Sequence, residues 1–211
     1  MNRGGPQNMP RKRKSPIPPT RQGVIAVVPL GKVAEDIARI VSDGLQGILM
    51  VPVDLLEAVP LPSGTFMENR QQFNAMAILQ YLRENPGSSH LKTLAVTEKD
   101  LGNPIVTFVF GQALVGGPGA VISTYRLSRG PDERLVSREH FLQRVMKVAL
   151  HEIGHAFNLP HCHIGRCVMR ASNTLAELDE KLGYLCTYCE LFFRDALRAA
   201  MQSIGKEHPK S

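Results

Sequence analysis

A mixed α/β fold, with helices packed against a mixed sheet, is predicted by three features of this 211-residue sequence. Strand-length apolar runs alternate with helical periodicity through the first half. Two β-rich runs flank a glycine-rich turn near the middle, and helices follow to the end. Hydrophobic residues make up 43% of the chain, enough for a real core. The longest apolar runs, residues 24–30 and 105–110, fall far short of the roughly 18 residues that would span a bilayer.

Taken in order, residues 24–30 read as a buried strand. Val33, Ile37, Ile40 and Val41 recur at helical spacing, and Gly44 can end that helix. Residues 48–53 read as a second strand and 60–69 as a loop. Phe73, Met76, Ala77 and Leu82 mark a second helix that stops at Asn85-Pro86-Gly87, and residues 91–96 form a third strand. The runs 106–115 and 120–127, separated by Gly116-Gly117-Pro118-Gly119, read as a hairpin. Ser137 can cap a long helix with Phe141, Val145 and Val148 on its buried stripe. A last helix follows Cys189, with Leu191, Ala196, Leu197, Ala200, Met201 and Ile204 at helical spacing.

The net charge of +6 is unevenly placed. Arg3, Arg11, Lys12, Arg13, Lys14 and Arg21 lie in residues 1–21, which hold no acid, so the other 190 residues carry 19 basic and 19 acidic side chains. A neutral body with a basic, proline-containing arm is expected, and nucleic acid is disfavoured as a main partner. The absence of Trp and an aromatic content of 6% leave no stacking platform. No secretory signal is read, because prolines interrupt the stretch after the basic start. The cytoplasm is the expected location, with no membrane partner and a monomer as the default state.

Residues 151–155 read His-Glu-Ile-Gly-His. Four residues apart on a helix, His151 and His155 share a face and can aim at one metal ion. Glu152 is rotated about 100° from His151, near enough to reach a metal-activated water without ligating the metal. His161 lies six residues past His155, too far along a straight helix, so the chain must turn. Asn158 tolerates the left-handed conformation that such a turn needs, and Pro160 bars helical continuation. Three imidazoles leave one open position on a tetrahedral zinc, the pattern of a catalytic site. Glu152 is then the general base for hydrolysis of a peptide bond.

All four cysteines lie between 162 and 189. The pairs Cys162/Cys167 and Cys186/Cys189, the latter C-x-x-C at a helix start, match a closed Cys₄ zinc site. Two disulfides or unlinked thiols are the alternatives. His161 and Cys162 are consecutive, so two zinc ions per chain would grip adjacent residues, and the cysteine site would support the third histidine.

The run His151-Glu152-x-x-His155-x-x-Asn158-x-x-His161-Cys162, with Cys167, Met169 and Cys186-x-x-Cys189 beyond it, resembles the archaemetzincins, a metzincin-like branch of zinc peptidases. The resemblance implies a metzincin-like fold: a twisted mixed β-sheet, an active-site helix below it and a C-terminal helical, zinc-stapled subdomain. It puts Met169 in the Met-turn beneath the catalytic zinc, and it makes residues 106–113 the cleft's edge strand, pairing with an extended peptide. Asn158 stands where the family usually has glycine. The expected organisation is a tail over 1–21, a sheet-and-helix part over 22–157 that includes the active-site helix, and a part over 158–211 carrying His161, Met169 and the cysteines.

Two other readings compete with a peptidase. One keeps both zinc ions in a scaffold or in a hydrolase of another amide; the other is a nucleic-acid-binding zinc protein working through the basic arm. His163 reads as an exposed loop residue, and Tyr184 and Tyr188 as packing beside the second cysteine pair.

Overall fold

The structure is a computed structural model that describes residues 24–84, 90–130 and 134–207. Its elements in order are β1 (Ile25–Pro29), α1 (Glu35–Leu49), β2 (Val53–Leu55), β3 (Phe66–Met67), β4 (Gln72–Asn74), α2 (Ala75–Glu84), β5 (Lys92–Thr97), β6 (Leu101–Gly102), β7 (Gly111–Ala113) and β8 (Gly119–Ser123). The helices α3 (Arg138–Ala156), α4 (Leu175–Glu180) and α5 (Thr187–Glu207) follow. The basic arm and the expected stop at 85–87 lie outside the described residues.

The main sheet has the order β2-β1-β5-β8-β7. Its first four strands run parallel, and β7 closes the edge antiparallel to β8 with Gly111 opposite Ile122 and Ala113 opposite Ala120. Alternate residues feed two cores. Ile25, Val27, Leu94, Val96, Ala120 and Ile122 face α1, α3 and α5, whereas Ala26, Val28, Ala95 and Val121 face α2. Helices on both faces explain why these strands read as unbroken apolar runs. A second sheet, β3-β4-β6, lies in the segment leading to the cleft.

Several expectations are corrected. The run read over 106–115 is a strand only at Gly111–Ala113, and the stretch 60–69 read as a loop contains β3. Gly44 does not end α1, which runs on to Leu49 and closes with Met50 in the left-handed region at φ 55°. Gly44 instead lies where α1 faces α3: a Cβ there would stand 2.5 Å from Cε at the flexible end of Met146. Ile48 and Leu49 therefore finish a helix, and the second strand is Val53–Leu55, because a short apolar run looks alike in a buried helix and a strand. Phe73 belongs to β4, and α2 starts two residues later where Oδ1 of Asn74 accepts from the Met76 and Ala77 amides at 3.0 and 3.3 Å.

The long helix α3 carries the His-Glu motif in its last turns. Ser137 caps it, accepting from the His140 amide at 3.2 Å, and Val145 and Val148 are buried. Its charged residues are anchored too. Arg144, 1% exposed, makes two bonds to Asp179 at 2.8 and 2.6 Å and donates to the carbonyls of Leu127 and Arg129. Lys147 donates to the carbonyls of Leu178 and Asp179 at the end of α4. The last helix begins at Thr187, between the two cysteines, and buries Cys189, Phe193 and Leu197, leaving Leu191 and Met201 exposed.

Candidate active site

His151, Glu152 and His155 share the C-terminal end of α3, which stops at Ala156. Asn158 then turns the chain at φ +66°, its amide donating to the His155 carbonyl at 2.8 Å. That carbonyl also accepts from Gly116 in the β7–β8 turn at 2.9 Å, so the helix end is tied to the hairpin above it. Beyond the turn, His161 comes back beside the other two imidazoles.

The three histidines each offer one ring nitrogen within 4.8 Å of the others. Nε2 of His151 and Nε2 of His155 are 3.1 Å apart, close to the edge of about 3.3 Å expected for two nitrogens on one tetrahedral zinc. The opposite nitrogens are occupied: Nδ1 of His151 meets the Val168 carbonyl at 2.8 Å and Nδ1 of His155 the Leu159 carbonyl at 2.7 Å. Each ring therefore donates from Nδ1 and presents a bare Nε2, the orientation in which outer partners hold metal-binding histidines. Burial lowers all three pKa values, that of His151 to about 3, with Lys181 adding to the effect, so the rings are neutral and ligand-competent at pH 7.

Glu152 sits in the same cleft, of about 510 Å³, whose other wall is residues 106–113. Burial raises its pKa to about 8, and Lys181 acts against that shift. The carboxylate is packed under the edge strand: a Cβ at Gly111 would stand 2.6 Å from its Cγ and 2.9 Å from Oε1. Gly111 is thus the residue that makes room for Glu152. A larger, mostly apolar hollow of about 990 Å³ adjoins the cleft and shares Phe108, Phe110 and Asn173 with it.

Met169 is fully buried below α3. Its Sδ would be 2.4 Å from a Cβ at Gly154, so the glycine inside the His-Glu motif lets the sulfur approach the helix. The Met169 carbonyl accepts from the Cys162 amide at 3.0 Å.

The four cysteines form a second cluster, Sγ atoms within 4.8 Å of one another and none in a disulfide. Sγ of Cys162 and Sγ of Cys186 are 3.8 Å apart. That is close to the edge of a tetrahedron of thiolates about 2.3 Å from zinc, and far from the roughly 2.05 Å of a disulfide. Backbone amides point at sulfur: Ile164 donates to Cys162 at 3.4 Å and Cys186 to Cys167 at 3.3 Å. Burial raises the Cys167 and Cys189 thiols, whereas at Cys186 burial is outweighed by the Cys189 amide and neighbouring thiols, which lower it. His163 is an exposed loop residue, and Tyr184 and Tyr188 are exposed rather than packed.

Two links between the clusters run through one loop. His161 precedes Cys162 directly, and Val168, whose carbonyl orients His151, follows Cys167. Sequence spacing carries the first link. The second, together with Gly111, Gly154 and Lys181, is carried by no pattern along the chain.

An open trio of neutral imidazoles on a helix, with a carboxylate beside it under a sheet edge, defines the class of zinc metallopeptidases. Relatives and solved structures narrow the class. The chain is 38% identical over 169 residues to archaemetzincin of Haloarcula marismortui, which covers 79% of this chain and 96% of that protein. It superposes on the crystal structure of archaemetzincin from Methanopyrus kandleri with a TM-score of 0.73 at 29% identity, covering 86% of this chain and 99% of that one. Archaemetzincin of Archaeoglobus fulgidus, crystallised in complex with malonate, matches with a TM-score of 0.69 at 33% identity over 80% of this chain and 98% of that one. The profile of Peptidase family M54 spans residues 32–194. The chain belongs to that family, the archaemetzincins, and is a zinc metallopeptidase. No helix among the described residues is long and apolar enough to cross a membrane.

Proposed function

We propose that this chain hydrolyses peptide bonds in an extended segment laid along residues 106–113, with Glu152 as the proton carrier. The observation that carries this reading is the convergence of three imidazoles, one ring nitrogen of each within 4.8 Å of the others, beside a buried carboxylate in a cleft roofed by an edge strand. His151, His155 and His161 would hold the catalytic zinc, and Cys162, Cys167, Cys186 and Cys189 a second, structural one. The donor chemistry fits both: neutral imidazoles with an open position for catalysis, and four thiols closed to substrate. When bound, the catalytic zinc supplies a Lewis acid that acidifies water, polarises a carbonyl oxygen and draws Glu152 toward its ionised form.

The chain's own groups do the rest. The outer edge of β7 offers backbone groups for antiparallel pairing with substrate. Glu152 takes the proton from the attacking water and hands it to the leaving amine nitrogen. Gly111 keeps that carboxylate close under the bound segment. Asn158 turns His161 into the cluster, and Met169 supports the helix from below. The same reading divides the chain in function: residues 22–157 supply the roof and the helix ligands, and 158–211 the third histidine and the closed site.

The test is metal content and peptide cleavage together. Two zinc ions per chain are expected in both wild type and Glu152→Gln, with kcat in the variant lower by roughly 10²–10⁴. Two zinc ions with no cleavage of any peptide in a mixed library would favour a scaffold or a hydrolase of another amide. A single zinc, lost when the cysteines are replaced, would remove the catalytic site.

A further inference from the structure

One buried cation is left over by this mechanism. Lys181 caps the end of α4, its amide donating to the Leu178 carbonyl at 3.3 Å, and the residue is only 3% exposed. It lines the cleft with Glu152 and the histidines, within electrostatic reach of all four. Yet its side chain has no hydrogen bond, and no carboxylate stands at ion-pair distance, among the described residues.

The neighbouring buried cations are treated differently. Arg144 is matched by Asp179 and two carbonyls, and Lys147 by two carbonyls at the end of α4. The Lys181 ammonium has neither kind of partner among the described residues, and what solvation it keeps comes from the cleft. An anion entering the cleft gives the ammonium a partner, and a half-buried site screens that attraction less than open water does. Lys181 and Glu152 are the only formally charged residues lining the cleft, so a dication on the histidines makes it net positive. Ser172 and Asn173, on the same wall, add polar groups.

We propose that Lys181 forms a carboxylate-binding subsite in the catalytic cleft and sets a preference for peptides that bring a carboxylate next to the scissile bond. This rests on the peptidase reading, because a peptide carries carboxylates only on Asp and Glu side chains and at its C-terminus. Burial, opposed by Glu152, brings the lysine pKa down to about 8, so the ammonium is charged at neutral pH when the anion arrives.

The experiment uses the zinc-loaded full chain with positional peptide pools carrying Glu, Gln or Leu, each as free acid and as C-terminal amide. Wild type is expected to cleave one acidic pool faster than its neutral counterpart by at least about tenfold in kcat/KM, the scale of a charge-assisted contact. A gap between Glu and Gln pools identifies a side-chain carboxylate; a gap between acid and amide pools identifies the C-terminus. Lys181→Met is expected to abolish the gap by slowing only the acidic pool, and Lys181→Arg to keep it. Binding provides a readout apart from turnover: zinc-loaded Glu152→Gln, titrated calorimetrically with the same pools, should favour the acidic one, and adding Lys181→Met should erase the difference. A wild type without acid preference overturns the proposal, as does a Lys181→Met variant slowed equally on every pool, which would mean that the lysine serves Glu152. Preferential binding without cleavage would keep the subsite and sink the peptidase reading instead.

Discussion

The two donor clusters touch at adjacent residues yet are held by opposite means. Two of the three histidines ride on α3, whose inner face is locked under a sheet with both faces buried. The cysteines come from a loop and from the start of α5, separated by the six-residue α4, and only Cys189, the third residue of α5, lies in a long helix. The first cluster inherits its geometry from the core. The second also backs onto the core, with Cys167 and Cys189 buried in it and Cys162 and Cys186 packed against it, but irregular chain rather than one helix joins its sulfurs. His161 belongs to the first cluster by chemistry and to the second by attachment, and it is the exposed member of its trio. The general lesson is that a rigid core can position a helix-borne ligand, whereas a ligand on irregular chain needs a staple nearby.

Breaking the staple should have the largest effect. Cys167→Ser is expected to weaken metal binding at the histidines on the order of 100-fold, the upper range for outer-support contacts, although Cys167 is not in that trio. Metal titration of the folded variant checks this, and hydrogen exchange should show residues 158–189 loosened while β1, β5 and β8 stay protected. Unchanged affinity at the histidines would mean that the clusters are independent.

A smaller effect is expected on the core-held side. Gly111→Ala places a methyl against Glu152 and should lower kcat about tenfold by displacing the carboxylate, with zinc content and melting temperature close to wild type. If activity is retained, the carboxylate is free to shift and the roof does not position it.

The smallest effect falls at the joint between the two. Asn158→Ala must adopt a left-handed φ and should cost about 1–2 kcal/mol of stability, measured by denaturant unfolding, while Asn158→Gly should be tolerated. An alanine variant as stable as wild type would argue that the turn relaxes.

The donors were readable because their spacing is local. Four residues on a helix put His151 and His155 on one face whatever packs around them, and two close pairs of cysteines need little more than a loop to meet. Asn158 was readable for the same reason, since the turn is a property of three or four consecutive residues. The misread elements failed where local patterns are degenerate. Residues 48–53 could end a helix or make a strand, and Gly44 looked like a terminator, whereas it lies inside α1 opposite Met146, about a hundred positions later. Lys181 and Gly111 carry no signal at all, because their meaning lies in what faces them across the cleft.

By itself, then, the sequence determined the two sets of candidate metal donors, most of the buried strands and the turn that joins the helix to the third histidine, all consequences of backbone periodicity and conformational preference over a few residues. Tertiary structure decided which carbonyls fix the imidazoles, which glycine makes room for the carboxylate and which lysine is left unpaired in the cleft. Those depend on contacts that only the packed chain brings within reach, some across tens of positions, as between Gly111 and Glu152, and some around the turn that closes on His155.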